Sequence, residues 1–561
     1  MLQNLQFHLP SSTDPLPVTR RGLPLLHDPW LNKGTAFTPE ERIALGLSGL
    51  LPPHSADMDE QVHRVMENYA HLTDPLAKYT FLTALADRNM TLFYRVLLDN
   101  LLEMTPIMYT PTVGYACQQF GHIYRRNRGM YISLRHKGRI AQVLENWPAD
   151  EVDIIVISDG SRILGLGDLG ANGMGIPIGK LVLYVACAGL HPERTLPILL
   201  DVGTDNTDLL DDPLYLGLTH HRVHGEEFYE IVDEFVQAAT QRWPRVLIQW
   251  EDFTNDKAFP LLKRYRDEVL CFNDDIQGTG SVVLAGLFAA MRIREEHLSD
   301  QRIVFCGAGS AAVGIADMIC AGIADEHSLT LEDARKLVWM VDSKGLVTTT
   351  RGGKLEEHKL AYARDEEPAK TLLEIVQRVQ PTVLIGASGH PRTFSEDVVK
   401  TMHKTCSKPI IFALSNPTTK AECTAEEAYG WTNGNAIFAS GSPFPPVRIG
   451  GRIFVPGQGN NMFIFPGVGL GAVACGASKV TDEMFFTAAK TLAHMVTAEE
   501  LRAGTIYPDL RNIRQISLAI ASAVCRLAWD EGLAQYAEPA DIRDYVRKLQ
   551  YHPEYRPYVA A

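Results

Sequence analysis

The middle of the chain alternates between short apolar runs and longer stretches of helical periodicity. Between residues 128 and 275 the apolar runs include 154–157 and 196–200, and the helical stretches include 180–188 and 226–241. Apolar runs of this length are typical of strands buried on both faces, and a helix between successive strands returns the chain for parallel pairing. The pattern predicts an α/β domain with a largely parallel sheet.

The same alternation occurs again between residues 283 and 460. The apolar runs there are 303–306, 337–341, 382–385 and 410–413. They predict a second sheet domain.

Helical periodicity dominates both ends of the chain. It covers residues 57–104 and the tail from residue 479 onward, and Thr38 and Glu41 have the spacing of a capping box. The predicted fold class is therefore α/β, with a helical N-terminal domain before the two sheet domains and a helical C-terminal region after them.

Composition narrows the class of protein. The 561 residues are 46% hydrophobic and 21% charged, as in a globular chain of about two to four domains. A net charge of -14 disfavours nonspecific nucleic-acid binding. The nine cysteines contain no C-x-x-C pair and are expected to be buried in a reducing compartment. No signal core or apolar run of transmembrane length is expected, which favours a cytoplasmic protein, with a short transit peptide as the alternative.

Two predicted strands end in adjacent acidic residues. Glu251-Asp252 follows the run 246–250 and Asp274-Asp275 follows the run 269–273, with the helix-compatible stretch 257–266 between them. A right-handed crossover would bring both pairs to one sheet edge, where carboxylate oxygens would suit Mg²⁺ or Mn²⁺. The ordinary alternative is that these acids cap helices or face solvent.

Two segments match the G-x-G-x-x-G/A template of a dinucleotide-binding loop. The first, 165–170, follows Arg162 rather than a strand and places Asp168 where it would face a pyrophosphate. The second directly follows the apolar run 303–306 and opens the apolar stretch 313–323, which suits a phosphate at a helix N-terminus. A structural turn is the alternative. The predicted cofactor residues of this second loop are Gly307, Gly309, Ser310, Ala311 and Ala312.

Asp342 ends the next apolar run, where a carboxylate can accept hydrogen bonds from an adenosine ribose. Such a carboxylate would repel a 2′-phosphate, which favours NAD as the cofactor. The neighbouring residues that leave NADP open as the alternative are Ser343, Lys344, His358 and Lys359.

Three further side chains each have a functional and an ordinary interpretation. Lys180 follows the glycine-rich loop 170–175 and is either a solvated surface lysine or a base in a dry pocket. Arg162 either binds a substrate carboxylate or forms a surface ion pair. Tyr109 lies in a predicted turn and either points its hydroxyl into a cleft or is a buried structural tyrosine.

Three asparagines are candidates for ligand contacts. Asn416 follows the apolar run 410–413 and is expected at the same sheet edge as the cofactor. Asn460 and Asn461 follow glycines, where paired amides either donate to a ligand carboxylate or form an ordinary turn.

Taken together and in order, these segments resemble the malic enzyme family. Further matching runs are 31–37, 49–53, 109–114, 173–180, 272–279, 414–418 and 456–467. The likeness spans nearly the whole chain and is closest to the large NAD-linked malic enzymes, although the run 342–344 also resembles NADP-using relatives. It implies oxidative decarboxylation of L-malate to pyruvate and CO₂, with NAD and Mg²⁺ or Mn²⁺ as cofactors.

The resemblance also implies roles for single residues. Lys180 would accept the proton of the C2 hydroxyl group, and Tyr109 would protonate the enolate carbon. The implied metal ligands are Glu251, Asp252 and Asp275. The implied substrate and nicotinamide contacts are Arg162, Asn416, Asn460 and Asn461.

The same resemblance implies a division into domains and an assembly. The implied domains are a helical N-terminal domain (1–127), a catalytic malate- and metal-binding α/β domain (128–282), a Rossmann-type NAD-binding domain (283–460) and a helical C-terminal region (461–561). A homotetramer is expected, with no nucleic-acid or membrane partner. Two alternative functions are a metal-dependent 2-hydroxyacid dehydrogenase that does not decarboxylate and a non-catalytic nucleotide-sensing protein.

Overall fold

A computed structural model describes residues 14–351 and 355–561, so the start of the predicted first domain, residues 1–13, lies outside the described residues. The strands are β1 (Leu16–Val18), β2 (Met130–Ser133), β3 (Ile154–Ser158), β4 (Thr195–Asp201), β5 (Leu247–Trp250), β6 (Cys271–Asn273), β7 (Ile303–Cys306), β8 (Val338–Asp342), β9 (Gly345–Leu346), β10 (Val383–Gly386), β11 (Ile410–Ala413), β12 (Ile437–Ser440), β13 (Val447–Ile449), β14 (Arg452–Phe454), β15 (Gly457–Gln458) and β16 (Tyr558–Ala560).

The α-helices are α1 (Leu23–Leu26), α2 (Pro39–Ala44), α3 (Met58–Ala70), α4 (Pro75–Ala86), α5 (Met90–Asp99), α6 (Leu101–Met108), α7 (Thr112–Gln118), α8 (Phe120–Ile123), α9 (Ile140–Leu144), α10 (Gly175–Leu183), α11 (Thr207–Leu210), α12 (Glu226–Arg242), α13 (Asn255–Tyr265), α14 (Thr279–Arg294), α15 (Ser310–His327), α16 (Leu331–Arg335), α17 (Leu372–Val379), α18 (Glu396–Thr405), α19 (Ala425–Trp431), α20 (Phe465–Cys475), α21 (Asp482–Met495), α22 (Ala498–Arg502), α23 (Ile513–Asp530) and α24 (Ile542–Leu549). Short 3₁₀-helices are Gly34–Ala36, Leu134–His136, Gly170–Met174, Pro192–Arg194, Leu298–Asp300, Glu357–Tyr362, Thr418–Lys420, Asn461–Phe463 and Leu510–Asn512, and π-helical turns are Tyr184–Ala188 and Asp274–Gly278.

Side-chain caps explain where the first long helices begin. The predicted capping box of α2 is confirmed, because Thr38 Oγ1 accepts from the Glu41 N–H at 3.2 Å and Glu41 Oε2 accepts from the Thr38 N–H at 3.1 Å. Asp57 caps α3, and Asp74 caps α4. Each cap satisfies a backbone N–H that the first helical turn leaves without a partner.

The chain divides into two compact units. The first contains the chain up to Thr254 together with Val473–Gly476 and Gln535–Ala561, and the second contains Asn255–Ala472 and Ala477–Ala534. The four domains that the family resemblance implied stay a prediction.

The first unit contains a parallel sheet and helices. The strands β2, β4, β3 and β5 are neighbours in that order, and each adjacent pair is parallel. Every residue of β3, β4 and β5 is buried, which explains why these strands are apolar on both faces. In the same unit β1 pairs with β16 in parallel, which joins the two ends of the described chain.

The second unit contains a seven-stranded sheet in the order β15-β12-β11-β10-β7-β8-β9. All neighbours are parallel except β8 and β9. Because β7 lies between β8 and β10, the strand order reverses at β7, and dinucleotides bind outside the carboxyl ends of the strands at such a switch point. The predicted α/β class with a Rossmann-type domain is confirmed.

The strand positions follow the apolar runs closely. The predicted runs 303–306 and 410–413 are β7 and β11 without change, whereas β2 and β12 were not predicted. The helix that contains Lys180 begins at Gly175 rather than after the glycine-rich loop, so Lys180 lies in the helix interior.

Among the residues that the structure describes, two apolar helical stretches are long enough to cross a membrane by length and composition, Gly170–Ala188 and Asp274–Arg294. The expectation that no apolar run reaches that length is therefore wrong. In these stretches 100% and 78% of the apolar window are buried inside the protein, as in core helices.

Candidate active site

Lys180 is buried against a carboxylate in the first unit. Its side chain is only 2% exposed, and its Nζ lies 3.0 Å from Oε1 of Glu251, the residue that follows β5. Since every residue of α10 is buried, a lysine on this helix has no short route to water. The alternative of a solvated surface lysine is wrong.

Tyr109 lies beside this pair. It directly follows α6, is 7% exposed, and has its ring centroid 5.4 Å from Lys180 Nζ. Gly179 makes this approach possible, because a Cβ there would lie 3.2 Å from the Met108 carbonyl oxygen and 3.4 Å from Tyr109 Cδ2. The structure therefore brings Tyr109, Lys180 and Glu251 together.

A buried chain of side chains continues from Glu251 and was not predicted. Gln249 Nε2 donates to Glu251 Oε2 at 2.7 Å, and the Tyr184 hydroxyl donates to Gln249 Oε1. Gln249 and Tyr184 are completely buried. A glutamine inside the otherwise apolar strand β5 was the signal that could have identified this chain, because buried polar groups need partners.

Asp252 adopts a backbone conformation that aspartate rarely has. Its φ is 55°, its carbonyl oxygen accepts from the Arg162 N–H at 3.2 Å, and its Oδ2 accepts from the Leu164 N–H at 3.0 Å. Positive φ at non-glycine residues clusters at functional sites. Arg162 is exposed, and its N–H joins it to Asp252.

The loop 165–170 is held by an ion pair and does not have the environment of a phosphate loop. Arg222 donates to Asp168 from Nε at 2.7 Å and from NH2 at 2.6 Å. Burial would raise the pKa of the Asp168 carboxyl, but the hydrogen bonds and positive charge of Arg222, together with hydrogen bonds from the N–H groups of Asp205 and Gly170, hold the pKa below its usual range. An ionised Asp168 in the loop would repel a pyrophosphate, in line with the sequence-based choice of the other loop.

In the second unit, Asp274 and Asp275 begin a π-helical turn directly after β6. Asp274 is fully buried, and its Oδ2 accepts from Asn461 Nδ2 at 3.1 Å. Asp275 is partly exposed. Asn460 Oδ1 accepts from the N–H two residues later at 3.0 Å, so this side chain caps a local turn.

The loop after β7 has the backbone of a phosphate-binding turn. Gly307 has a φ of 123°, and a Cβ there would lie 2.5 Å from the Ala387 carbonyl oxygen, so only glycine is accommodated. Gly309 is the exposed N-cap of α15, which begins at Ser310. Of the next two residues, Ala311 is exposed and Ala312 is buried. The helix N-terminus is thus open to an anion.

Asp342 ends β8 as predicted, but its carboxylate is already engaged. Arg351 donates to it from NH1 at 2.8 Å and from NH2 at 2.7 Å, and Lys359 Nζ lies 3.2 Å from its Oδ2. Burial would raise the pKa of the Asp342 carboxyl, but hydrogen bonds from Arg351, the Lys344 N–H and Lys359 lower it to about 2. Arg351 was not among the residues predicted for this site.

Asn416 lies just past the carboxyl end of β11 and is exposed, as expected for a residue at the cofactor edge. Its Oδ1 accepts from Ser442 Oγ at 2.5 Å, and a Cβ on Gly441 would lie 2.8 Å from its amide. The side chain is therefore held at the edge of the sheet by the loop after β12.

Comparison with known proteins agrees with this arrangement. The model of the malic enzyme N-terminal domain matches residues 86–266, and that of the malic enzyme NAD binding domain matches residues 276–529. The NADP-dependent malic enzyme of Dictyostelium discoideum is 54% identical over 95% of this chain and 98% of its own length. That of Phaseolus vulgaris is 50% identical over 96% of this chain and 92% of its own length.

The expectation of an NAD-dependent enzyme with NAD as cofactor is wrong, because these similar relatives are named NADP-dependent. The prediction gave the repulsion by Asp342 more weight than the neighbouring cations, of which it named Lys344, His358 and Lys359. In the structure two cations, Arg351 and Lys359, neutralise it, so its repulsion of a 2′-phosphate is offset.

Solved structures share the fold. The malic enzyme of Entamoeba histolytica has a TM-score of 0.55 at 21% identity and covers 90% of this chain and 91% of its own, and that of Pyrococcus horikoshii Ot3 has a TM-score of 0.54 at 24% identity and covers 80% and 89%. With both family domains matched in order and a relative more than half identical over nearly the full length, this chain belongs to the malic enzyme family.

Proposed function

We propose that this protein oxidatively decarboxylates L-malate to pyruvate and CO₂ with NADP as the hydride acceptor and Mg²⁺ or Mn²⁺ as the metal. The observation that carries the proposal is the buried group of Lys180, Glu251 and Tyr109 in the first unit. This chemistry needs a base, a metal-ligand carboxylate and an acid. Glu251 and Tyr109 both lie close to Lys180, the proposed base.

The donor set supports a divalent metal. Glu251 and Asp252 are buried, and Asp275 is partly exposed. Adjacent buried carboxylates are costly unless cations or hydrogen bonds compensate them, and hard oxygen donors are the ligands that Mg²⁺ and Mn²⁺ prefer. We assign these three residues as the metal ligands.

The surroundings of Asp342 support NADP. Arg351 and Lys359 together bring two positive charges to the carboxyl end of β8, where the adenosine ribose of a bound dinucleotide lies. Glu356 also contacts Lys359 at 3.2 Å, but its side chain is 64% exposed and can turn to solvent. Arginine is suited to bind a phosphate through two parallel hydrogen bonds.

The residues then have distinct tasks. When bound, NADP would take up the hydride from C2 of malate, and the metal would stabilise the negative charge left on the enolate by loss of CO₂. Lys180 would remove the proton of the C2 hydroxyl, and Tyr109 would deliver a proton to C3. Arg162, Asn416, Asn460 and Asn461 would contact the substrate or the nicotinamide.

Burial serves this chemistry. It excludes water from the enolate that loss of CO₂ leaves. The amine of Lys180 lies in the same dry environment, beside Glu251.

Assembly as a homotetramer and a cytoplasmic location are further proposals, supported by the family resemblance and by the composition. No nucleic-acid or membrane partner is proposed. Sedimentation of the purified protein tests the assembly.

The test is a spectrophotometric assay at 340 nm with malate, comparing NADP⁺ with NAD⁺ and Mn²⁺ with excess chelator, while pyruvate and oxaloacetate are measured as products. We expect NADPH and pyruvate in equal amounts, at least about tenfold preference for NADP⁺, and no turnover with chelator. Oxaloacetate as the final product would instead indicate a simple dehydrogenase. Cofactor binding without turnover would indicate a nucleotide sensor.

A further inference from the structure

Glu422 is a buried carboxylate that the proposed reaction does not use. It is fully buried and lies in the second unit, three residues before α19. No lysine, arginine or histidine forms an ion pair with it in the part of the chain that the structure describes. An ionised side chain in such a place is costly unless hydrogen bonds satisfy it.

Its hydrogen bonds come from two loops at the cofactor edge of the sheet. The loop after β11 contributes the Ser415 hydroxyl and, at 3.3 Å, the Ser415 N–H. The loop after β10 contributes the Ser388 N–H at 3.3 Å. One carboxylate thus holds the carboxyl ends of two neighbouring strands.

Three glycines and two serines link this carboxylate to the rest of the edge. A Cβ on Gly386 would lie 2.3 Å from Glu422 Cδ, so a larger residue at the end of β10 would clash with the Glu422 side chain. Ser415 Oγ also accepts from the Gly389 N–H at 2.9 Å. A Cβ on Gly307 would lie 3.0 Å from the Ser388 nitrogen, so the pyrophosphate loop packs on the same segment.

The position of these loops determines which half of the cofactor they meet. In a sheet of this order, the adenosine half lies over β8 and the nicotinamide half lies on the other side of β7, over β10 and β11. Asp342 and Arg351 belong to the first side, and Ser388 and Asn416 belong to the second. Glu422 is hydrogen-bonded to the two loops on this second side.

We propose that Glu422 is a positioning residue for the nicotinamide half of NADP: it fixes the loops after β10 and β11 and thereby the backbone that precedes Asn416. It also occupies two backbone N–H groups at strand ends that would otherwise attract a phosphate. The inference rests on the proposed NADP-dependent function.

The test separates the two halves of the cofactor by calorimetry. The Kd values of NADP⁺ and of adenosine 2′,5′-bisphosphate, which lacks the nicotinamide half, are measured for the wild-type protein and for Glu422→Gln and Glu422→Ala. We expect Glu422→Ala to weaken NADP⁺ binding about tenfold or more, because backbone donors lose their acceptor, while binding of the bisphosphate changes less than about twofold. Glu422→Gln keeps one acceptor oxygen and is expected to lie between.

Two control variants sharpen the result. Glu427→Gln removes a carboxylate that only caps α19, through Thr424, and is expected to change neither Kd. Arg351→Ala is expected to weaken binding of the bisphosphate and of NADP⁺ alike.

The KM for NADP⁺ should rise in the Glu422 variants in step with the Kd. Equal weakening of both ligands by Glu422→Gln and Glu422→Ala, or no change in either ligand, would overturn the inference. If Glu422→Ala does not fold, the same criteria apply to Glu422→Gln. A wild-type protein that binds NADP⁺ but does not oxidise malate would contradict the proposed function and leave the binding comparison intact.

Discussion

The first unit contains two buried lysine–glutamate pairs that look alike and have different surroundings. Lys33 Nζ lies 2.5 Å from Glu41 Oε1, with side chains 4% and 7% exposed. Lys180 Nζ lies 3.0 Å from Glu251 Oε1, with both side chains 2% exposed. Each lysine also lies near a tyrosine ring, at 3.7 Å from the centroid of Tyr558 for Lys33 and at 5.4 Å from that of Tyr109 for Lys180.

The partners of the glutamates differ. Glu41 accepts backbone hydrogen bonds from Thr38 at 3.1 Å and from Tyr558 at 2.8 Å, so it joins a helix N-cap to β16. Glu251 accepts from the side chain of Gln249 and directly follows β5, a strand of the parallel sheet. A pair tied to the backbone of both chain ends is suited to hold the fold, whereas a pair at the end of a parallel strand is suited to chemistry. The residues around each lysine–glutamate pair, rather than the pair itself, therefore determine what the pair does.

The largest effect is expected when Lys180 is replaced. Lys180→Ala should lower kcat for malate oxidation by about 10²–10⁴-fold, because a general base contributes that much. The thermal midpoint should fall as well, because Glu251 is left buried without its cation, so kcat is compared per folded molecule. A variant that keeps its rate would show that the two pairs do not differ as described.

Lys33→Met should lower stability without lowering kcat. Removing one partner of a buried ion pair leaves the other uncompensated, and this costs roughly 3–5 kcal/mol of stability. The denaturation midpoint should therefore fall while kcat per folded molecule stays within about twofold of the wild-type value. Loss of kcat with an unchanged midpoint would reverse the assignment of the two pairs.

The two tyrosines provide a finer comparison. Tyr109→Phe keeps the ring beside Lys180 and removes the hydroxyl, so pyruvate formation should fall by about 10²-fold while oxaloacetate reduction falls less. Tyr558→Phe keeps the ring over Lys33 and should leave both rates unchanged. Coupled assays for pyruvate formation and for oxaloacetate reduction measure the difference, and equal losses in both reactions would argue against Tyr109 as the acid.

The two glutamates can be compared through the metal. Glu251→Gln should raise the Mn²⁺ concentration needed for half-maximal activity by about tenfold or more, because an amide is a weaker ligand than a carboxylate. Glu41→Gln should leave that concentration unchanged and lower the thermal midpoint. An unchanged Mn²⁺ requirement in Glu251→Gln would remove this residue from the metal site.

The smallest expected effect is a pH dependence of stability. Burial lowers the pKa of Lys33 below its usual value of 10.5, more than Glu41 raises it. The unfolded chain then binds the proton more tightly than the folded one between the two pKa values, so stability should rise with pH in that window. Thermal midpoints of wild type and Lys33→Met from about pH 8 to 10 isolate this contribution, which Lys33→Met should lack.

Much of the second unit could be predicted from the sequence. Strands β7 and β11, the turn at Gly307 and the position of Asp342 all follow from apolar period and glycine spacing, which act within a few residues. The cofactor could not be predicted in this way. The two cations that contact Asp342 are Arg351, which lies in a loop, and Lys359, which lies in a 3₁₀-helix. Hydrophobic periodicity does not predict how such segments fold.

By itself the sequence determined the α/β class, the apolar strands and the family, because hydrophobic period and motif order are local or linear properties of the chain. Only the tertiary structure decided that Lys180 is buried rather than solvated, that Arg222 engages Asp168, and that Glu422 joins two loops. The reason is physical: burial and charge pairing depend on residues far apart in sequence, and the cost of a buried charge depends on which of them meet.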